Sequence, residues 1–430
     1  MMLLWLLAGC REEPKIPGID LPDVSAQNVL VLNLDTTRRD RLPFDDYTRQ
    51  TLPLTGERPF SVIDGVWSGA GWTVPATSTQ LSGRPVHLHH VRDDDLENGE
   101  GDLEGTLLTT HVQDLGWQAH FFGGNPYFER VAAFAESAPV TYIPDAGETS
   151  NARALAEATL TWIDSVPEDQ PFLAWVQPMD AHGPWDPHPE DFGTWADVDA
   201  VPFDIQAETR DQEAAMEAEL EGASADEVRQ AVSDVYDEQL LDLDRALDAL
   251  LTELEARGRL DHTLVVLTSD HGEQLFDSDP LGYGHLEWLT PAVTNVTLAL
   301  MHPDLPEAVW PCLTSSADLA PTLLDLLDLP ELPGAEGASI RQACRQVATS
   351  EFWLRTTLHR VSAVSTDGRI EADCKTGEIT GFNLKTDPFN RQPLSEADTP
   401  DAALLRDGLV ALRDSIEDET QERCRLDTSW

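Results

Sequence analysis

The run Asn28-Val-Leu-Val-Leu-Asn-Leu34 is almost wholly apolar on both faces of an extended chain and stops at Asp35. That pattern predicts a strand buried on both sides. Leu264-Val-Val-Leu267 repeats it and ends in Thr268-Ser-Asp-His-Gly-Glu273. Two more strands are predicted, at Ala119 to Phe122 after Leu115-Gly116-Trp117 and at Phe172 to Val176. Between these runs the apolar period changes. Ala152, Leu155, Ala156, Thr159, Leu160 and Ile163 recur at helical spacing, as do Tyr236, Leu240, Leu243, Leu247, Leu250 and Leu254 before a stop at Gly258. Asp318 to Leu327 reads as another helix, closed by Pro330, Pro333 and Gly334. Strands that alternate with helices predict an α/β fold, a large and mostly parallel sheet sandwiched by helices.

Past about Ser350 the pattern changes again. Short strand-like runs at Arg360 to Ser365 and Ile379 to Leu384, and a helix from Asp401 to Ile416, predict a small C-terminal α+β subdomain over residues 346–430. The catalytic body is expected over residues 28–345, with residues 186–230 as an acidic, Ala- and Glu-rich insertion carrying one solvated helix. No internal repeat is visible.

The 430-residue chain has 78 acidic and 28 basic residues, a formal charge of -50. Such a surface repels nucleic acid and anionic membranes and favours solubility, so nucleic-acid binding is excluded as a function. Lysine occurs only at positions 15, 375 and 385.

Met1 to Cys10 is apolar but too short to span a bilayer as a helix. Leu7-Ala8-Gly9-Cys10 resembles a bacterial lipobox, although no basic residue precedes it. The expectation is a lipoprotein signal over residues 1–10, a lipid anchor at Cys10, export to the cell envelope, and a Pro-rich tether over residues 11–27. Cys312, Cys344, Cys374 and Cys424 remain, an even set that an exported protein can oxidise. Of the three possible pairings, Cys312 with Cys344 and Cys374 with Cys424 is the most local.

Candidate chemistry gathers at predicted strand ends and turns: Asp35; Thr73 in Gly71-Trp-Thr-Val-Pro-Ala-Thr-Ser-Thr-Gln-Leu-Ser-Gly-Arg84; Asp180 and His182; Asp270 and His271; and His285 in Gly282-Tyr-Gly-His285. Singly, each has another use, since a strand-terminal Asp also caps helices and Asp-His-Gly also forms a turn.

Taken in order, these segments resemble the alkaline phosphatase superfamily and, within it, the sulfatase family, from Asn28 to about Leu394. The similarity rests on Asn28 to Leu42 including Arg38 and Asp40, the Thr73 block running into His87-Leu-His89, Asp180-Ala-His182-Gly-Pro-Trp185, Thr268 to Glu273, Ala317 to Leu327 and Thr386-Asp-Pro388. The resemblance implies that Asp35, Thr73, Asp270 and His271 surround one divalent cation, Ca²⁺, Mn²⁺ or Zn²⁺, which activates Thr73 as nucleophile. It implies that His182 and His285 face the substrate as binding or proton-donating groups. Asp180 and Arg84 are expected to bind substrate. A second metal is not expected, because the residue four places after Asp180 is Pro184 instead of a histidine.

Two features depart from a typical sulfatase. Sulfatases oxidise a Cys or Ser to an aldehyde, whereas the Cβ of Thr73 carries a methyl group and would give a ketone. The motif's Ser and Arg are replaced by Ala76 and Thr77, and no lysine is near. A direct threonine nucleophile suits phosphoryl transfer. The expected activity is hydrolysis of sulfate or phosphate esters, phosphoryl mono- or diesters favoured, on a small-molecule, glycan or lipid substrate. The alternatives are a catalytically retired glycan- or lipid-binding lipoprotein of the same fold and a phosphoryl-group transferase. The sequence leaves substrate identity and oligomeric state open.

Overall fold

The computed structural model of the chain describes residues 16–426 apart from 46, 93–102, 145–150, 184, 186–192, 197–224, 277–281, 355–356 and 421–422. The expected signal, Cys10 and most of the acidic insertion lie outside the described residues.

The strands are β1 Ile16–Pro17, β2 Asn28–Asn33, β3 Ser61–Trp67, β4 Gln118–Gly123, β5 Val140–Tyr142, β6 Phe172–Gln177, β7 Thr263–Thr268, β8 Gln274–Leu275, β9 Tyr283–Gly284, β10 Asn295–Val296, β11 Leu298–Met301, β12 Ala308–Ser315, β13 Ala343–Cys344, β14 Ala348–Leu354, β15 Thr357–Val364, β16 Gly368–Asp373 and β17 Ile379–Asn383. The longer helices are α1 Thr73–Ser82, α2 Asn151–Ser165, α3 Ala225–Ala256, α4 Leu319–Leu326 and α5 Ala402–Thr420. The main sheet runs in the order β10-β3-β11-β7-β2-β6-β4-β5, with β12 added beside β3. Every residue of β2, β6 and β7 is buried, as unbroken apolar runs require. These strands pair in parallel, β7 beside β2 and β2 beside β6. All three therefore end at one edge of the sheet.

Strand β3 was not predicted. Its polar centre, Asp64-Gly65, breaks the apolar run, and Gly65 adopts a φ of +99° where β3 meets β12. Helix α3 begins at Ala225, so residues 225–230 belong to it and not to the solvated insertion. Its apolar stripe, Tyr236 to Leu254, packs against the face of the sheet. Residues 16–27 are not a free tether. β1 pairs with β13, Val24 N–H donates to the Leu326 carbonyl at 3.0 Å, and the Leu21 and Val24 side chains are buried. Burying those two side chains offsets part of the order imposed on the segment, and the backbone bonds to β13 and Leu326 add to it.

The C-terminal subdomain is an antiparallel sheet, β14-β15-β16-β17, covered by α5. His87 joins it to the body through Glu351 at 2.7 Å and Ser415 at 2.9 Å. Disulfides pair Cys312 with Cys344 and Cys374 with Cys424. The second closes a separation of 50 residues inside the small subdomain. Replacing both its cysteines by serine is expected to destabilise that subdomain by about 3–4 kcal/mol. Hydrogen exchange should show the loss in β15 and β16 first, with the main sheet protected as before.

Candidate active site

The shared strand edge collects the polar groups. Leu34 N–H donates to the Thr268 carbonyl at 2.8 Å and Asp35 N–H to the Pro178 carbonyl at 3.2 Å, so the turn after β2 is held to both neighbouring strands. Thr36 then takes a φ of +53°, which for a β-branched residue costs about 1–3 kcal/mol. The surroundings impose it. The buried Tyr236 hydroxyl donates to the Thr36 carbonyl at 2.7 Å and accepts from the Arg38 N–H at 2.9 Å.

Asp270 follows β7, and its Oδ1 accepts the His271 N–H at 2.8 Å. The His271 ring donates from Nδ1 to the Gly272 carbonyl at 2.9 Å. That bond fixes the tautomer and turns the Nε2 lone pair toward the centre. Gly272 is required there, because a Cβ would come within 2.1 Å of the Ala292 carbonyl oxygen.

Thr73 reaches the same point as the first residue of α1, a fully buried helix. Its Oγ1 lies 3.4 Å from Asp35 Oδ2 and 3.3 Å from His271 Nε2. The first N–H groups of a helix have no intrahelical acceptor, and its partial positive charge favours an anion. Ligand atoms of Asp35, Asp270 and His271 all lie within 4.8 Å of one another.

These groups are poorly matched to each other without a cation. Asp35, Asp270 and His271 are each at most 1 % exposed. Among the described residues neither carboxylate meets an arginine or lysine, and Asp35 Oδ1 has no hydrogen-bond partner, with His271 Nε2 at 3.8 Å. Burial and the charge of Asp35 hold the Asp270 carboxyl well above the usual carboxylate range. Burial first, then the charge of His285, pushes the His271 imidazole down to about 3, so it stands neutral with a lone pair to give. Two oxygen donors and one imidazole around an orphaned carboxylate oxygen fit a divalent cation.

On the rim, the ring centroids of His271 and His285 are 4.6 Å apart and those of His182 and His285 are 4.9 Å apart. His285 therefore borders the centre, and His182 packs on His285 at its rim. Asp180 and Arg84 each make structural contacts. Asp180 accepts the Ala152 N–H at 2.9 Å and so anchors the start of α2. Arg84 lies beyond the opposite end of α1 from Thr73, roughly 15 Å along the axis. It donates to the carbonyls of Gly334 at 2.9 Å and Leu88 at 3.1 Å. Arg84→Ala is accordingly expected to leave turnover within about twofold of wild type while costing roughly 1 kcal/mol of stability, as paired kinetic and thermal-melt measurements would show. Arg38 is buried and forms a two-bond ion pair with Asp40, at 2.9 and 2.8 Å.

Two residues at the centre escaped the sequence reading. Gln177, the last residue of β6, donates to Asp270 Oδ2 at 3.0 Å and approaches Asp35 Oδ2 at 3.5 Å. Its Oε1 is held by Asn33 at 2.8 Å and Trp175 at 3.1 Å. Thr77, where sulfatases carry arginine, faces this amide at 3.3–3.4 Å, so a neutral network occupies that place. Glu273, the end of the Asp270-His271 motif, lies 3.0 Å from His285 Nδ1 through its Oε1. Burial pushes its carboxyl up to about 8 and holds His285 well below the ordinary histidine value. The one available signal for Gln177 was a polar residue closing an otherwise apolar strand.

The parallel strands of this mixed sheet deliver two carboxylates and an imidazole to one edge, beside a helix-borne hydroxyl, an arrangement suited to a metal-dependent hydrolase. The sulfatase family model matches residues 27–329, and the chain belongs to that family. A protein solved with its substrate D-glucosamine-2-N,6-O-disulfate has a similar structure, with a TM-score of 0.72, 14% identity and coverage of 95% of this chain and 100% of that one. Phosphonate monoester hydrolases from Silicibacter pomeroyi and Agrobacterium radiobacter are also similar, with TM-scores of 0.71 and 0.69, both at 18% identity and covering 91% of this chain and 96% of theirs. At these identities the likeness concerns the fold. Comparison with curated proteins yields no match.

Proposed function

We propose that this sulfatase-family hydrolase cleaves phosphate esters, mono- or diesters, with Thr73 as its nucleophile. The convergence of Thr73 Oγ1 on Asp35 and His271 carries this reading. A divalent cation, Ca²⁺, Mn²⁺ or Zn²⁺, held by Asp35, Asp270 and His271 would lower the pKa of the Thr73 hydroxyl and offset the charge of the ester. Thr73 Oγ1, its proton released to solvent, would form a bond to phosphorus as the ester oxygen departs, and that oxygen would take a proton from His182 or His285 on the rim. Water would then break the new Oγ1–phosphorus bond and regenerate the hydroxyl. Gln177 would keep the two carboxylates parallel to the cation without adding charge.

A phosphoryl substrate is favoured over a sulfuryl one because threonine cannot form the aldehyde hydrate that lets sulfatases expel sulfate. The neutral Thr77–Gln177 pair, in place of the motif arginine, supports the same preference for a centre built differently from the typical sulfatase. The Leu7-Ala8-Gly9-Cys10 motif supports export and anchoring at Cys10, on a small-molecule, glycan or lipid ester in the cell envelope. Metal analysis together with turnover of p-nitrophenyl phosphate, bis-p-nitrophenyl phosphate and p-nitrophenyl sulfate tests the reading. Faster turnover of the sulfate ester would reverse the preference. Ligand binding without any turnover would favour a retired, glycan- or lipid-binding protein.

A further inference from the structure

The hairpin formed by β8 and β9 has a register that pairs Gln274 with Gly284 and Leu275 with Tyr283. Continued one step toward the sheet, that register sets Glu273 opposite His285. The pairing brings Glu273 Oε1 to 3.0 Å from His285 Nδ1. Several contacts hold this approach. The Glu273 carbonyl accepts Arg38 Nη1 at 3.2 Å, which fixes the backbone from below. Gly284 adopts a φ of +85°, a conformation other residues rarely take, and a Cβ there would sit 3.9 Å from Glu273 Oε1. Glu273 itself is 1 % exposed, whereas the His285 side chain keeps 14 % of its surface open. With Nδ1 tied to Glu273, the ring's other edge is turned to the rim it shares with His182 and His271.

We propose that Glu273 is a positioning residue: it holds His285 by Nδ1 so that the Nε2–H faces the departing ester oxygen. The proposal rests on the reading of His285 as a proton donor. In that step His285 acts in its charged form, favoured by the bound anionic ester: the phosphorus–oxygen bond breaks, the leaving oxygen takes the Nε2 proton, and the ring keeps its Nδ1 proton on Glu273 and ends as a neutral imidazole. The carboxyl does not touch the ester. Its contribution is orientation, of the kind that an outer partner gives a catalytic or metal-binding imidazole.

The test uses Glu273→Leu, Glu273→Gln and His285→Ala in the full chain, assayed with the p-nitrophenyl and phenyl phosphate esters. A phenolate leaves less readily than a p-nitrophenolate and so depends more on protonation. Glu273→Leu is expected to lower kcat for the phenyl ester about 10–100-fold, with KM and the p-nitrophenyl rate changed by less than about threefold. Glu273→Gln, whose amide can still hold Nδ1, should recover most of the phenyl-ester rate. Imidazole NMR gives a readout independent of turnover: a deshielded Nδ1 hydrogen-bond proton should appear in the wild type and vanish in both Glu273→Leu and His285→Ala. Wild-type phenyl-ester kinetics in Glu273→Leu alongside a slowed His285→Ala would overturn the proposal, as would absence of that proton in the wild type. A His285→Ala variant with normal kinetics on both esters would sink the proton-donor role itself, while the NMR signal still decides whether Glu273 holds the ring.

Discussion

Thr73→Ala is expected to abolish ester turnover, by on the order of 10⁴-fold or more in kcat, while leaving the fold and cation binding in place. The alanine removes the one oxygen that forms the bond to phosphorus, yet the carboxylates of Asp35 and Asp270 and the imidazole of His271 remain within reach of each other. Thr73 is 2 % exposed, so the loss of its methyl and hydroxyl should cost only about 1–2 kcal/mol of stability. Metal content by elemental analysis and a far-UV spectrum check those controls. Thr73→Ser keeps the hydroxyl and should retain turnover within about tenfold of wild type. If Thr73→Ala keeps its metal and still turns over at a rate near wild type, the nucleophile is elsewhere.

The second large effect concerns the cation and has a sign that a purely structural carboxylate pair would not show. Removal of divalent ions by a chelator is expected to lower the melting temperature, and adding an ion back at about a hundredfold excess over Kd should restore roughly 2.7 kcal/mol. Asp35→Asn should reverse this order in the chelated state. It removes a charge from a buried pair of like charges and puts an N–H₂ where Asp35 Oδ1 has no partner, beside His271 Nε2. The chelated variant should therefore melt higher than the chelated wild type, and the ion should no longer raise it. The pH dependence follows from the same charges. A carboxyl whose folded pKa is raised, as for Asp270, contributes stability below its unfolded value that is lost as pH rises through the folded pKa. Between about pH 5 and about pH 8 the chelated wild type should thus lose more stability than chelated Asp35→Asn as pH rises, because the opposing contributions of His271 and His285 are present in both proteins. Differential scanning calorimetry with and without chelator measures all three differences. A chelated Asp35→Asn protein that melts below chelated wild type would show that the cluster is held by hydrogen bonds and not by an ion.

Much of the fold was legible because its central strands bury both faces. Leu264 to Leu267 and Asn28 to Leu34 have no polar position to hide, so an apolar run and a sudden Asp mark the strand and its carboxyl edge together. The strands with polar positions were the ones missed. β3 carries Asp64 and Gly65 in its middle, where its pairing with β12 is irregular, Asp64 meets solvent and the period is lost. The N-terminal segment was misread for a related reason. Proline and acidic residues from Pro14 to Asp23 have the composition of a tether, but Leu21 and Val24 at isolated positions, with the pairing of β1 to β13, dock it. Arg84 shows the limit of motif reading. It is adjacent in sequence to the Thr73 helix, and the length of that helix carries it away from the site.

The sequence by itself determined the order of the candidate ligands and the strand ends that present them, because an apolar run that stops at a carboxylate marks both a strand and its carboxyl edge. It also determined that Thr73 cannot yield an aldehyde, which follows from covalent structure alone. Only the tertiary structure decided which partners those groups keep. Gln177, Glu273 and Tyr236 are ordinary residues in sequence, and their roles arise from contacts across 93, 12 and 200 positions. Spacing along a chain reports such contacts only when one element spans them, and here three strands, a hairpin and a helix had to meet at one edge before they existed.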